Sequence, residues 1–220
     1  MGTHGNLKLI VAADMHGKRQ AYEKTFQKTK ETQADAIIIC GDLTHFGSVQ
    51  QARELLSILT VSQMPVLYVP GNLDPQELAN AKIEGTACIH ASCESINGHS
   101  FVGVGALHPA FRTPENKIMQ WLGDGFDKCS QKQDLILVSH VPPKNTKVDM
   151  AYIGGHAGSL CIRQFVSEHK PIAVFCGHIH EGRGLDNIGD SVIVNPGAGR
   201  SGYYALVELG RTVDVELRRF

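Results

Sequence analysis

The sequence predicts an α/β fold, and three observations carry that expectation. Short apolar runs of strand length alternate with helix-prone polar stretches through the first seventy residues. Further strand-length runs follow in the middle, and the last thirty residues alternate as strands. No internal repeat, low-complexity tract or linker interrupts the chain, so residues 1–220 read as one domain.

Element by element, residues 7–12 form an apolar run that reads as a buried strand, and 18–30 are polar and helix-prone. Residues 36–40 are a second strand, 48–59 a second helix with Ser48 as N-cap, and 65–69 a third strand. This rhythm implies parallel strands buried on both faces. In the middle, 88–90, 95–96 and 101–104 read as short strands, with Asn97-Gly98 as a tight hairpin turn. Two weaker helical stretches cover 116–122 and 125–131. Then come a strand at 135–139, a helix at 159–168 and a strand at 172–176. Strands at 191–194, 203–209 and 213–217 complete a parallel first half and an antiparallel finish.

Composition excludes several classes. The chain is 42% apolar and 20% charged, with 21 basic and 22 acidic residues. No Lys/Arg block offers a grip on long nucleic acid, although short or single nucleotides remain possible substrates. No apolar run approaches the roughly 20 residues that span a bilayer, and no signal peptide is read, so a cytoplasmic location without a membrane partner is expected. The six cysteines lack C-x-x-C spacing, and free thiols in a reducing cytosol are the expectation.

Five apolar strands end in polar clusters: Asp14-Met15-His16-Gly17, Gly41-Asp42-Leu43-Thr44-His45, Gly71-Asn72-Leu73-Asp74, His140, and Gly177-His178-Ile179-His180. Parallel strands gather such clusters at their carboxyl edge, where α/β proteins place their sites. Imidazole suits zinc, iron, nickel and copper, whereas carboxylate and amide oxygens suit harder ions such as manganese and magnesium. The mixture points to metals of intermediate softness: manganese first, with iron, zinc or nickel as alternatives. Seven candidates, Asp14, His16, Asp42, Asn72, His140, His178 and His180, are too many for one ion and suit two divalent ions with a bridging carboxylate.

The ordered set Asp-x-His, Gly-Asp, Gly-Asn, His, Gly-His-x-His, spanning residues 14 to 180, resembles the calcineurin-like metallophosphoesterases. The resemblance implies two mixed sheets packed as a sandwich with helices outside, four layers in all. It implies that Asp14, His16 and His180 bind one metal, that Asn72, His140 and His178 bind the other, and that Asp42 bridges both. The two histidines of Gly-His-x-His would serve different ions, which extended geometry at i and i+2 would fit. The reaction it implies is hydrolysis of a small phosphate ester by a metal-bound hydroxide, with Asp42 and His140 in the catalytic machinery and Asn72 also touching substrate. The Asn195-Pro196-Gly197 turn likewise resembles the family's C-terminal finish.

Departures from the family pattern narrow the substrate. Many members read Gly-Asn-His followed by an acid, and that His protonates the leaving group; here the position is Leu73. A general acid contributes typically 10²–10⁴-fold, so phosphodiesters with good leaving groups are expected to outrun alkyl monoesters. Asp74-Pro75-Gln76-Glu77 reads instead as a helix start with Asp74 as N-cap. The family's protein phosphatases carry Gly-Asp-x-x-Asp-Arg-Gly, whereas this chain has His45-Phe46-Gly47, which disfavours a phosphoprotein substrate and leaves His45 either as a candidate substrate contact or as a residue that merely lies near the metals. His156, in a Gly-rich loop ahead of a helix start, is a candidate proton donor and substrate contact; the alternative is a plain surface loop. The remaining histidines, His4, His90, His99, His108 and His169, read as solvated or hydrogen-bonded residues. Gly197 to Gly202 fits G-x-G-x-x-G on letters but leads into a strand, so it reads as a turn. The competing functions are a nucleotide or cyclic-nucleotide phosphodiesterase or nuclease, and a non-catalytic metal-binding scaffold of the same fold.

Overall fold

The fold comes from a computed structural model, which describes residues 6–107, 113–152 and 154–220. His4 and His108 lie outside the described residues. In chain order the strands begin with β1 (Leu7–Ala12), β2 (Ala36–Cys40), β3 (Val66–Val69), β4 (Thr86–Cys88), β5 (Ser92–Ile96) and β6 (His99–Val104). They continue with β7 (Leu135–Ser139), β8 (Ala173–Phe175), β9 (Gly184–Ile188), β10 (Ser191–Asn195), β11 (Tyr203–Leu209) and β12 (Val213–Arg219). The helices are α1 (Arg19–Thr32), α2 (Val49–Leu56), α3 (Glu115–Asp127) and α4 (Leu160–His169).

Two mixed six-stranded sheets result, in the orders β12-β11-β1-β2-β3-β4 and β5-β6-β7-β8-β10-β9. In the first sheet β1 to β4 run parallel and β11 pairs antiparallel with both β1 and β12; in the second, β6, β7, β8 and β10 run parallel between the antiparallel edge strands β5 and β9. Alternation of side chains along each strand explains the layering. Leu9, Val11, Ile38 and Val69 face the second sheet and pack with Phe101, Ile136, Val138 and Phe175. Their neighbours Ile37, Ile39 and Tyr68 point the other way, against Tyr22 of α1 and Leu55 of α2. On the far side Val102, Leu137 and Val174 pack against Leu122 of α3 and Phe165 of α4. The order helix, sheet, sheet, helix is the four-layer sandwich expected from the resemblance. No helix among the described residues is long and apolar enough to cross a membrane.

Three expectations are corrected. Residues 116–122 and 125–131 were expected as two helices and are one, α3. Its two internal glycines do not break it: Gly123 faces open space, and a Cβ on Gly125 would stand 3.0 Å from Val102 Cγ2, so that glycine lets the helix lie close on the sheet. Strand β9 was missed because Gly-Leu-Asp-Asn-Ile carries no apolar alternation and is an edge strand paired only to β10. Cys93 and Cys129 form a disulfide, while Cys40, Cys88, Cys161 and Cys176 are free. The pair links β5 to the residues after α3, a proximity that spacing in sequence does not reveal. With it goes the cysteine-based argument for a reducing compartment.

Candidate metal centre

The parallel strands of both sheets end at one edge of the sandwich, and the polar clusters that follow β1, β2, β3, β7 and β8 meet there. The chain turns sharply as it leaves each strand. Asp14, His16, Asp42 and His178 all adopt left-handed φ values, between 47° and 67°. Such angles cost free energy in a residue with a side chain, and they concentrate at functional sites. Glycines supply room rather than the turn alone: a Cβ on Gly41 would lie 2.3 Å from His140 Nδ1, and one on Gly71 would lie 2.1 Å from Asp42 Oδ1.

All seven residues singled out in the sequence come together. Ligand atoms of Asp14, His16 and His180 lie within 4.8 Å of one another, and so do those of Asp14, Asp42 and His140. His16 Nε2 and His180 Nε2 are 3.2 Å apart, and His180 Nε2 is 3.4 Å from Asp14 Oδ1. On the other side His140 Nε2 stands 2.9 Å from Asn72 Oδ1, and the His140 and His178 rings are 4.9 Å apart. Asp42 divides its oxygens, with Oδ2 3.9 Å from His16 Nδ1 and Oδ1 3.7 Å from His140 Nε2. His178 and His180 do face different groups, but not by extended geometry. His178 is left-handed and His180 begins a 3-10 turn, so a kink rather than a strand separates them.

Burial sets the protonation of the imidazoles. It pushes His178 down to about 3 and His16 down to about 4, so both are neutral and offer a lone pair near pH 7. Burial would lower His140 as well, but Asp42 and Asp14 outweigh it and hold its pKa above the ordinary value. Burial pushes Asp42 up to about 6, against the attraction of His140. His140 Nδ1 donates to the Cys40 carbonyl at 2.9 Å, which orients the ring and aims Nε2 at Asn72. Two imidazole nitrogens and a carboxylate oxygen within 4.8 Å of one another, beside a second mixed N/O group, are the donor chemistry of divalent transition ions.

Asp74 is not the helix cap that the sequence suggested. The turn after it, Gln76–Asn80, has Pro75 at its N-cap and no side-chain cap. The Asp74 carboxylate is buried and accepts from the N–H groups of Leu43, Thr44 and Gly71 and from the Thr44 hydroxyl. It therefore ties the Asp42 loop to the Asn72 loop. Burial raises its pKa, with these hydrogen bonds opposing.

His45 is exposed, with Nδ1 3.3 Å from His16 Nδ1, so it stands at the rim of the first group. Leu73 carries no proton, but its backbone N–H donates to Asp42 Oδ1 at 2.9 Å. His156 is exposed, in a loop. Its Nδ1 lies 2.7 Å from Asp149 Oδ1, and it lines a cavity of about 410 Å³ together with His178. Asp149 is fully buried and also accepts from the N–H groups of Asn145, Thr146 and Gly158. Burial alone would raise the pKa of Asp149; the His156 hydrogen bond and the backbone donors outweigh it and hold the carboxyl below its ordinary value. Sequence reasoning missed Asp74 and Asp149 as supports: the Leu43 and Thr44 donors of Asp74 lie 31 and 30 positions away, and the Thr146-x-x-Asp149 capping-box spacing was a local signal left unused.

A family model described as Calcineurin-like phosphoesterase matches residues 7–182. The Methanocaldococcus jannaschii protein MJ1162, itself uncharacterized, is 34% identical over 199 residues, which cover 86% of this chain and 88% of that protein. Among solved structures, TT1561 of Thermus thermophilus superposes with a TM-score of 0.73 at 20% identity, over 96% of this chain and 99% of that one. A dimetal phosphatase from Danio rerio superposes with a TM-score of 0.68 at 10% identity, over 97% of this chain and 96% of that one. At these identities the two structures attest the shared fold.

Proposed function

We propose that this chain, which belongs to the calcineurin-like phosphoesterase family, hydrolyses small phosphodiesters with good leaving groups and works with two divalent cations. The observation that carries this reading is the meeting of Asp14, His16 and His180 in one group and of Asp14, Asp42 and His140 in another, with Asn72 and His178 beside His140 and with Asp42 near both His16 and His140. Asp14, His16 and His180 would hold one ion, Asn72, His140 and His178 the other, and Asp42 would lie between them. Manganese is the first choice, with iron, zinc or nickel as alternatives. When bound, such ions neutralise charge on the phosphoryl oxygens and activate water near neutral pH.

The protein's own groups do the rest. The Cys40 carbonyl and the Leu73 N–H keep His140 and Asp42 in place. Phe46, Leu73 and Pro75 line a cavity of about 310 Å³ beside Asn72, which suits an apolar leaving group. An aryl oxide departs without a proton, so the Leu73 position costs such a substrate little. For alkyl esters His156 would supply the proton from Nε2, its Nδ1 being engaged by Asp149.

Metal-free protein titrated with manganese, nickel, zinc or magnesium is expected to gain hydrolysis of bis(4-nitrophenyl) phosphate, with weaker turnover of alkyl phosphates. Absence of hydrolysis of every ester at saturating metal would sink the reading. Replacing His156 by Ala is expected to lower kcat on an alkyl phosphodiester about 10²-fold and to change the aryl substrate much less. Unchanged kcat on both would remove His156 from the chemistry.

A further inference from the structure

A basic hollow lies against the first of the two donor groups. Lys18, Lys24, Arg200 and Arg219 line a cavity of about 400 Å³, and no aspartate or glutamate lines it. Among the described residues none of these four cations forms an ion pair, whereas Lys8, Arg19, Lys28 and Arg218 each hold a carboxylate. Lys18 Nζ donates to the Arg200 carbonyl, which fixes two of the four beside each other. Like charges gathered in a concave surface repel one another and raise the local anion concentration. Lys18 is also the residue before α1, whose first turn contains no acidic residue. No aspartate or glutamate side chain on the lining offsets this cation cluster, to which the helix end adds.

The hollow is built onto the candidate metal centre. Gly199 N–H donates to the Ala13 carbonyl at 2.7 Å, and Arg200 N–H to the Asp14 carbonyl at 3.2 Å. The Arg200 guanidinium reaches to 3.5 Å from His180 Nδ1. One residue therefore borders both the donor cluster and the hollow. Guanidinium forks bind phosphate oxygens bidentately, and ammonium groups add point charges.

We propose that the natural substrate carries a second phosphate group, held in this hollow by Lys18, Lys24, Arg200 and Arg219 while the scissile phosphate lies at the metal centre. The inference rests on the hydrolase reading above and specifies its substrate class: a phosphate ester that bears a second phosphate. Long nucleic acid does not fit, because the cations form one hollow and not a stripe.

The test is calorimetric titration of metal-free protein at physiological salt with AMP, ADP and adenosine 3′,5′-bisphosphate. At least one two-phosphate ligand is expected to bind about tenfold or more tightly than AMP. A gain with ADP alone indicates adjacent phosphates, and a gain with the bisphosphate alone indicates separated ones. The double substitution Lys24→Ala/Arg219→Ala, on exposed side chains, is expected to abolish the gain while the melting temperature stays within a few degrees. Equal binding of all three ligands by the unaltered protein, or a gain that survives the double substitution, would overturn the proposal. Because no metal is present, failure here leaves the hydrolysis of aryl phosphodiesters standing. Conversely, absent hydrolysis with any metal would not erase a measured preference for two phosphates.

Discussion

Asp42→Asn is expected to lower kcat/KM for an aryl phosphodiester by about 10³-fold or more and to reduce bound metal from about two equivalents to one or fewer. The carboxylate is 3% exposed and sends one oxygen toward His16 and the other toward His140. An amide keeps the shape but loses the charge and one of the two acceptor atoms. Stabilisation of phosphoryl charge by bound ions is worth several kcal/mol, and each ~1.4 kcal/mol is a decade in rate. Metal content by elemental analysis separates this from an unfolded variant, and so does the melting curve of the metal-free protein. Burial raises the Asp42 pKa to about 6, above its unfolded value, so at pH 7 the ionised group works against the metal-free fold. The neutral Asn removes that opposition, and the metal-free variant should melt no lower than the parent. Retention of two ions with activity within tenfold of the parent would end the bridging assignment. Substitution of His16, which faces one group, should spare one ion.

Which parts were legible in the sequence follows from what each part depends on. Strands β1, β2, β7 and β11 stand where apolar runs placed them, because a run buried on both faces has little other outcome. The seven donors were readable because each follows such a strand, so strand direction alone brings them to one edge. The kink between His178 and His180 was not readable: a left-handed residue other than Gly or Asn leaves no letter in the sequence. Strand β9 was hidden because an edge strand of mixed polarity resembles a loop until β10 pairs with it. The Cys93–Cys129 pair and the basic hollow depend on contacts between distant segments, Lys18 and Arg200 being 182 positions apart. Asp74 was readable as an acid before Pro, and local spacing favoured a cap. Long-range backbone donors decided otherwise.

That last difference can be measured, because the two roles of Asp74 predict different losses. An N-cap aspartate replaced by Ala costs about 1 kcal/mol. The observed carboxylate accepts from Leu43 N–H, Thr44 N–H, Gly71 N–H and the Thr44 hydroxyl, all at 2.7 to 3.0 Å and away from solvent. Asp74→Ala would leave three buried N–H groups without an acceptor, at about 1–3 kcal/mol each. Relief of the buried charge and entry of water offset part of this, leaving a net loss of about 3 kcal/mol. For a chain of this size each kcal/mol shifts Tm by about 2–4 °C, so a drop of roughly 6–12 °C is expected. Metal affinity should fall with it, by about 10- to 100-fold, because the loops that carry Asp42 and Asn72 lose their common anchor. Thr44→Val, which removes one donor and leaves the carboxylate its three N–H bonds, should cost much less. A Tm loss of only a few degrees for Asp74→Ala, with metal affinity unchanged, would return Asp74 to the lesser role of ending a turn.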